Sequence, residues 1–199
     1  MYLILDRKVA SYDRLFDIAK ESVKYGVDIV QLRSKYGTAE EILAFSKKIL
    51  ALLKGKIPYV VNDRIDLAMT CGADGVHVGQ DDLPLTLARR LMRPKAIIGV
   101  SCQNLEDALR AQKEGATYIG FGSIFKTLTK PGRKPMDLKY FKKVLDKIKI
   151  PVFAIGGINK DNVPILKAVG ARHFAVSRSI CLANSIKDAT LKLKEIIEI

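Results

Sequence analysis

The sequence predicts an α/β protein, a single (β/α)8 TIM barrel in which residues 1–199 form one domain. Two observations carry this prediction. Short, nearly unbroken apolar runs rich in β-branched residues alternate with longer amphipathic stretches, and the strand-like runs number eight. Parallel strands buried on both faces have this unbroken apolar character. Eight strand–helix repeats favour a closed barrel over an open doubly wound sheet, which stays the alternative.

The predicted strands are short and evenly spaced. They cover Tyr2–Asp6, Asp28–Arg33, Pro58–Asn62, Gly75–Val78, Ala96–Val100, Thr117–Phe121, Pro151–Ile155 and His173–Ser177. The clearest predicted helices cover Tyr12–Tyr25, Ala39–Leu53, Leu105–Glu114 and Leu138–Ile148. Ser11 and Gly26 are suitable residues to begin and end the first of these helices. Thr38 followed by Glu41 predicts a capping box at the start of the second.

The charge is strongly positive, with 34 lysine and arginine residues against 21 aspartate and glutamate residues and a net charge of +13. The lysines are spread along helices rather than gathered in basic blocks with interleaved aromatic residues, and tryptophan is absent. We therefore interpret the charge as a solvated, lysine-rich surface and expect no nucleic-acid partner. A smaller part of the charge is suited to attracting small polyanionic substrates.

Compartment and metal class follow from a few residue types. No apolar run approaches the roughly 20 residues needed to cross a bilayer, and the amino-terminal segment lacks a signal-peptide pattern. We therefore expect no membrane association and a cytoplasmic location.

Three widely spaced cysteines and two distant histidines argue against disulfides and against a zinc site. His77, inside a predicted strand, is expected to be a core histidine. The oligomeric state is left open, a homo-oligomer included.

The active site of such a barrel lies at the carboxyl ends of its strands. Polar residues that can bind a ligand or take part in a reaction are expected to follow each strand, and the sequence meets that expectation. In chain order these candidates are Gln31, Arg33, Lys35, Asn62, Asp63, Asp82, Ser101, Thr127, Thr129, Lys130, Gly157, Ser177 and Arg178.

The ends of the last two strands predict a phosphate site. Gly156 and Gly157 allow backbone N–H groups to approach an anion without a Cβ in the way. Ser177, Arg178 and Ser179 are expected to open the last helix and to add hydroxyl and guanidinium donors. The alternative is that the two glycines only form a tight turn.

Two aspartates predict a magnesium site. Asp63 and Asp82 follow neighbouring strands, and magnesium prefers a few carboxylates together with water and phosphate oxygens. The alternative, that each aspartate caps the helix after it, stays open. Arg33, Lys35 and Lys130 would supply positive charge for a larger polyanion such as pyrophosphate, with surface ion pairs as the alternative for each lysine.

An ordered series of segments carries a family resemblance. The series comprises Gln31-Leu32-Arg33-Ser34-Lys35, Asn62-Asp63-Arg64, the segment from Ala73 to Asp82, Gly99-Val100-Ser101, Gly122-Ser123-Ile124-Phe125, Thr127-Leu128-Thr129-Lys130 and Ile155-Gly156-Gly157-Ile158. In this order and spacing it resembles the thiamine-phosphate synthases over nearly the whole chain. The resemblance implies a magnesium-dependent transferase that joins hydroxymethylpyrimidine diphosphate to hydroxyethylthiazole phosphate and releases pyrophosphate.

The resemblance also implies a role for each candidate. Asp63 and Asp82 would carry magnesium, and Lys130, Ser101 and Arg33 would be the catalytic residues. The pyrimidine diphosphate would be held by Gln31, Arg33, Lys35, Asn62, Ser101 and Lys130, and the thiazole phosphate by Thr127, Thr129, Gly157, Ser177 and Arg178. The implied chemistry is dissociative: pyrophosphate leaves, a pyrimidine methyl cation forms, and the thiazole nitrogen captures it.

Departures from the family pattern define the alternatives. Gln103 stands where the family usually has histidine, Ser123 follows Gly122 in place of proline, and Arg178 replaces a serine. One alternative is a thiazole tautomerase, whose catalytic histidine would occupy the position of Ser123. Another is a non-catalytic homologue that binds thiazole phosphate. The short loop after Lys130 is a candidate lid.

Overall fold

The computed structural model describes residues 1–128, 132 and 134–198. Its strands form a closed, entirely parallel barrel in the order β1 to β8, so the predicted (β/α)8 barrel is confirmed. The strands are β1 (Tyr2–Asp6), β2 (Ile29–Arg33), β3 (Tyr59–Asn62), β4 (Gly75–Val78), β5 (Ile97–Cys102), β6 (Tyr118–Phe121), β7 (Val152–Ile155) and β8 (His173–Val176). Each overlaps one predicted strand.

Helices connect the strands on the outside of the barrel. Those of the described residues are α1 (Tyr12–Ser22), α2 (Ala39–Leu53), α3 (Ile65–Cys71), α4 (Leu85–Leu91), α5 (Leu105–Lys113), α6 (Leu138–Lys147), α7 (Val163–Ala168), α8 (Arg178–Cys181) and α9 (Ile186–Glu198). The predicted capping box is present, because Thr38 Oγ1 accepts from Glu41 N–H and Glu41 accepts from Thr38 N–H. Ser11 caps α1 by accepting from Arg14 N–H.

Five predicted strands differ from the observed ones by one residue at one end, and the first helix ends at Ser22 instead of Tyr25, with a 3-10 helix over Val23–Tyr25. Two further predicted boundaries that concern site residues were wrong. Strand β5 continues to Cys102, so Ser101 lies within the strand and pairs with Gly120 of β6. Ser177 and its neighbours do not open the last helix: α8 is a single turn, and a separate α9 follows. The division has a local cause, since Ser185 Oγ accepts from Asp188 N–H and so begins a new helix.

The alternation of side chains along each strand divides the apolar core into two parts. On β1, Leu3 and Leu5 point outward into a large core between the barrel and its helices. Tyr2 and Ile4 point inward and belong to a small core that fills the barrel interior. That inner core consists of Tyr2, Ile4, Tyr118, Phe153 and Ala175, with Ile29, Ile97 and Ile155 packed against it. It closes the barrel below the carboxyl ends of the strands.

None of the helices in the described residues is both long and apolar enough to span a membrane.

Candidate active site

A cavity of about 430 Å³ opens at the carboxyl ends of the strands. Its floor is the inner core, with Tyr2, Tyr118 and Phe153 among its lining residues. The structure brings most of the predicted site residues to its wall. These are Gln31, Arg33, Asn62, Ser101, Thr127, Gly157, Ser177 and Arg178.

The remaining predicted residues divide into two groups. Lys35, Asp63 and Asp82 do not line this cavity and form a cluster beside it. The connection between cluster and cavity is direct, because Asp63 follows Asn62 and its N–H donates to the carbonyl of His77, which also lines the cavity. Thr129 and Lys130 lie outside the described residues, as do Pro131 and Arg133 of the predicted lid.

The cluster combines two carboxyl groups with one ammonium group. Lys35 Nζ pairs with the Asp63 carboxylate, and the carboxyl groups of Asp63 and Asp82 share a hydrogen bond. Burial and the hydrogen bond with Asp82 raise the pKa of Asp63. Burial also opposes ionisation of Asp82, but hydrogen bonds from Asp63 and from the Gly79 N–H outweigh it and lower the pKa of Asp82. The two adjacent carboxyl groups therefore differ in acidity, and Asp63 is the weaker acid of the pair.

The capping alternative for the two aspartates was wrong. The residues at the starts of α3 and α4 are Arg64 and Pro84, and among the described residues neither helix has a side-chain cap. Asp82 instead accepts from Gly79 N–H at 2.7 Å within its own loop. Asp63 has a φ of 63°, a left-handed conformation that costs a residue with a Cβ about 1 kcal/mol.

A buried ion pair that sequence reasoning missed orients Arg33. Asp6 is only 1% exposed, and its Oδ2 accepts from Arg33 Nη1 at 2.8 Å while its Oδ1 accepts from Lys8 N–H at 2.9 Å. Both side chains line the cavity. The sequence shows only that Asp6 and Arg33 end consecutive predicted strands, and the structure makes them register partners on neighbouring parallel strands.

The opposite wall carries glycines and hydroxyl groups. Gly156 and Gly157 have φ values of 97° and 69°, and a Cβ on Gly157 would lie 2.6 Å from the carbonyl oxygen of Lys126. Ser177 Oγ and Ser179 Oγ are buried and have no hydrogen-bond partner within the described part of the chain. Burying a hydroxyl group without a partner costs roughly 1–3 kcal/mol. Two such groups on one cavity wall therefore indicate donors kept for a ligand.

The cavity floor holds a chain of hydrogen bonds through His77. The residue is buried, as expected for a core histidine, and both ring nitrogens are engaged: Nδ1 lies 3.0 Å from Tyr118 Oη and Nε2 lies 2.9 Å from Ser101 Oγ. Tyr118 Oη lies 2.7 Å from Tyr2 Oη, which accepts from Gln31 Nε2 at 2.6 Å. The predicted residues Gln31 and Ser101 are thus the two ends of one chain.

Comparison with known proteins identifies the family. The model for thiamine monophosphate synthase matches residues 1–180, which include every candidate residue named above. The chain belongs to the thiamine monophosphate synthase family. It is 39% identical over 199 residues to the thiamine-phosphate synthase of Clostridium acetobutylicum, covering 100% of this chain and 94% of that protein. It is 41% identical over 171 residues to that of Fusobacterium nucleatum, covering 85% and 83% respectively.

Solved structures agree with this assignment. The thiamine phosphate pyrophosphorylase from Pyrococcus furiosus superimposes with a TM-score of 0.89 at 34% identity, over 99% of this chain and 94% of that one. A 3-hexulose-6-phosphate synthase matches with a TM-score of 0.70 at 20% identity, a likeness that concerns the fold alone. The expected family and its activity, that of a transferase acting on small phosphorylated substrates, are confirmed.

Proposed function

We propose that the chain joins hydroxymethylpyrimidine diphosphate to hydroxyethylthiazole phosphate within the single cavity described above, with release of pyrophosphate. The observation that carries this proposal is that one cavity has two separate walls whose side chains are suited to anions. Arg33, with the Lys35–Asp63–Asp82 cluster beside it, forms one wall. Ser177 and the Gly157 loop form the other. Strands β3 and β4 stand opposite β7 and β8 in the closed barrel, so two phosphorylated molecules would enter from opposite sides.

The diphosphate wall is suited to stabilising a leaving group. When the bond between the pyrimidine methylene carbon and oxygen breaks, the electron pair departs with the pyrophosphate, and negative charge grows there. Arg33 is already oriented by the buried Asp6 carboxylate, so it needs little reorganisation as the charge develops. Lys35 adds a second positive charge at this end. Lys130 is proposed as a third on the strength of the resemblance.

The aspartate pair fits a magnesium ion. Its donors are hard carboxylate oxygens, and the positive charge that Lys35 places against Asp63 shows that the pair sits where a cation is stabilised. Within the described residues no group of three or more histidine, cysteine or acidic side chains offers a complete metal site, which suits an ion that takes its other ligands from substrate and water. Bound by Asp63 and Asp82, magnesium would neutralise charge on the departing pyrophosphate.

The opposite wall is suited to a phosphate monoester. Ser177 and Ser179 offer two buried hydroxyl donors, Gly157 leaves its backbone open to the cavity, and Arg178 adds a charge. Thr127 lies on the same side of the cavity, and Thr129 is proposed beside it from the resemblance. Held there, the thiazole ring would present its nitrogen to the carbon that loses pyrophosphate. This step needs no general base, because the nitrogen attacks with its own lone pair.

Apolar groups between the two walls would protect the cation from water. Ile4, Phe153 and Ile155 line the cavity between the polar residues. A carbocation that meets water before the thiazole nitrogen would be lost as the alcohol, so apolar groups beside the reacting carbon favour the productive capture.

The decisive experiment is incubation of the purified protein with both substrates and magnesium, with assay of thiamine phosphate and pyrophosphate. We expect Ser177→Ala to raise the KM for thiazole phosphate about tenfold, because a hydrogen bond to a charged group is worth about 1.5 kcal/mol. The KM for the pyrimidine diphosphate should not change. Ser46→Ala is the matched control, since Ser46 is buried but bonded to Tyr59 outside the barrel.

Two outcomes would contradict the proposal. Thiazole phosphate that binds without any product would favour the non-catalytic homologue. If Ser177→Ala and Ser46→Ala changed the KM for thiazole phosphate equally, the assignment of the Ser177 side of the cavity to phosphate binding would be wrong. The thiazole tautomerase is not favoured, since Ser123 and not histidine follows Gly122. A cytoplasmic location and the absence of a nucleic-acid partner stay predictions, and the oligomeric state stays open.

A further inference from the structure

The hydrogen-bonded chain in the cavity floor links five side chains from five different strands. It runs from Gln31 through Tyr2, Tyr118 and His77 to Ser101, with successive donor–acceptor distances of 2.6, 2.7, 3.0 and 2.9 Å. The three middle members are almost completely buried, with exposures of 1%, 3% and 6%. Of the five side chains, only the two ends, Gln31 and Ser101, are among the residues expected to hold the pyrimidine diphosphate. The middle members therefore lack a role in the chemistry above.

Neighbouring residues make room for this chain. A Cβ on Gly99 would collide with the Tyr118 ring and lie 2.6 Å from His77 Nδ1. A Cβ on Gly120 would lie 3.2 Å from the His77 ring. Glycine at 99 thus permits the contact between Tyr118 and His77 on which the central hydrogen bond of the chain depends.

The donor or acceptor role of each side chain in this hydrogen-bonded chain fixes the role of the next one. A tyrosine hydroxyl has one hydrogen, so a tyrosine that accepts from one neighbour donates to the next. If Gln31 donates to Tyr2, then Tyr2 donates to Tyr118 and Tyr118 donates to His77 Nδ1. His77 then carries its hydrogen on Nε2 and donates to Ser101, whose own hydrogen is directed to a ligand.

Turning the Gln31 amide reverses every bond. Its oxygen then accepts from Tyr2, and the reversal passes along the chain until Ser101 donates to His77 and offers only lone pairs to the cavity. In the first arrangement Gln31 presents its oxygen and Ser101 a donor. In the second Gln31 presents its amide hydrogens and Ser101 an acceptor. The two ends are always complementary in kind, one donor and one acceptor.

We infer that the Tyr2–Tyr118–His77 chain is a positioning device that couples the hydrogen-bonding direction of Gln31 to that of Ser101. The coupled ends select an aromatic ring whose edge carries one donor and one acceptor, such as an amino group next to a ring nitrogen. This inference rests on the proposed function and adds a basis for ring selection to it. Tyr2, Tyr118 and His77 are positioning residues, since they act through the two ends.

The test is a double-mutant cycle on the two ends, measured with and without the middle of the chain. The readout is kcat/KM for the pyrimidine diphosphate with saturating thiazole phosphate and magnesium. Gln31→Ala and Ser101→Ala are combined, first in the natural chain and then in Tyr118→Phe. In the natural chain we expect the double variant to lose at least fivefold less than the product of the single losses. In Tyr118→Phe the losses should multiply to within about twofold, as for independent sites.

A second readout addresses ring selection directly. Benzyl diphosphate lacks both the ring nitrogens and the amino group, so it serves as a competitive probe of the site. The ratio of its inhibition constant to the KM of the pyrimidine diphosphate should fall at least fivefold in Tyr118→Phe. Tyr59→Phe is the matched control: it loses a buried hydroxyl bonded to Ser46 at 2.9 Å on the outer face of the barrel, and both readouts should stay as in the natural chain.

The outcomes separate this inference from the proposed function. If the natural chain makes no thiamine phosphate, the proposed function fails first. If it makes product but coupling persists in Tyr118→Phe, or Tyr59→Phe abolishes it equally, the positioning device is refuted while the function stands. If Tyr118→Phe does not fold, Tyr2→Phe cuts the chain at a neighbouring bond and is held to the same expected values.

Discussion

Replacing Asp6 by asparagine tests whether the buried ion pair orients Arg33. Asparagine keeps the size of the side chain and an oxygen for the Lys8 N–H, which Asp6 accepts at 2.9 Å. It removes the negative charge that faces Arg33 at 2.8 Å. With that oxygen held by Lys8, the amide nitrogen of asparagine faces Arg33 and cannot accept from it, so the substitution removes both the charge and the acceptor of the pair and keeps its packing.

The expected cost to stability follows from burial. Breaking a fully buried ion pair costs about 3–5 kcal/mol, and a single charge-assisted hydrogen bond is worth about 1.5–3 kcal/mol. The Asp6 side chain is 2% exposed, but the Arg33 side chain is 11% exposed and opens on the cavity, where water can solvate it. We therefore expect Asp6→Asn to lower the free energy of unfolding by about 2–3 kcal/mol, between those two limits.

Asp6→Asn should raise the KM for the pyrimidine diphosphate and leave the KM for the thiazole phosphate nearly unchanged. An Arg33 released from Asp6 must be ordered when the diphosphate binds, so we expect the KM for the pyrimidine diphosphate to rise about tenfold, equivalent to about 1.4 kcal/mol. The KM for the thiazole phosphate should stay within twofold. The assays are urea unfolding followed by circular dichroism and steady-state kinetics with each substrate varied in turn.

Asp146→Asn is the control for the charge change itself. Asp146 pairs with Lys142 on the surface of α6, with both side chains more than half exposed, and such a pair contributes about 0.3–0.5 kcal/mol. The reasoning is refuted if the two variants lose similar stability. It is also refuted if Asp6→Asn raises both KM values equally, since a general loosening of the site would do so.

Three further predictions concern charge, metal and packing. Burial opposes ionisation of Asp28, but the amino terminus and Lys194 outweigh it and lower the pKa of Asp28. The ionised Asp28 therefore stabilises the fold above its unfolded-state pKa, and this contribution is lost as the pH falls through the lower folded-state pKa. Asp28→Asn should accordingly flatten the acid side of a curve of unfolding free energy against pH, measured by urea unfolding. Magnesium at ten times its Kd should stabilise the protein by about 1.4 kcal/mol, seen as a rise in Tm that Asp82→Asn abolishes; an equal rise in that variant would contradict the metal assignment. Phe141→Ala should cost about 3–5 kcal/mol, because Phe141 is fully buried, whereas the partly exposed Leu87→Ala should cost less than about 1 kcal/mol.

The barrel could be predicted from the sequence because its physics is local and repeated. Each parallel strand is buried on both faces, and this gives eight apolar runs that need no long-range information to be found. Helix starts such as Thr38 were equally visible, since a capping box involves residues three positions apart. The end of β5 was not visible, because the strand continues through Ser101, a polar residue that looks like the beginning of a loop.

The site was predictable where chemistry follows strand ends, and was missed where it depends on the barrel interior. Tyr2 and Tyr118 are 116 residues apart, and each taken alone reads as an apolar core residue. Only closure of the barrel brings their hydroxyl groups within 2.7 Å of each other. The pairing of Asp6 with Arg33 similarly requires the register between two strands, and hydrophobic patterning does not give that register.

The small size of the inner core has a consequence for how the cavity could be altered. Five side chains separate the cavity from the opposite mouth of the barrel, while the much larger core between strands and helices supplies most of the buried apolar surface. A substitution at Phe153 or Ile4 would therefore alter how deep a substrate can reach, while the packing between strands and helices would keep its own contacts. The depth of the cavity and the cohesion of the barrel with its helices thus depend on two different sets of side chains.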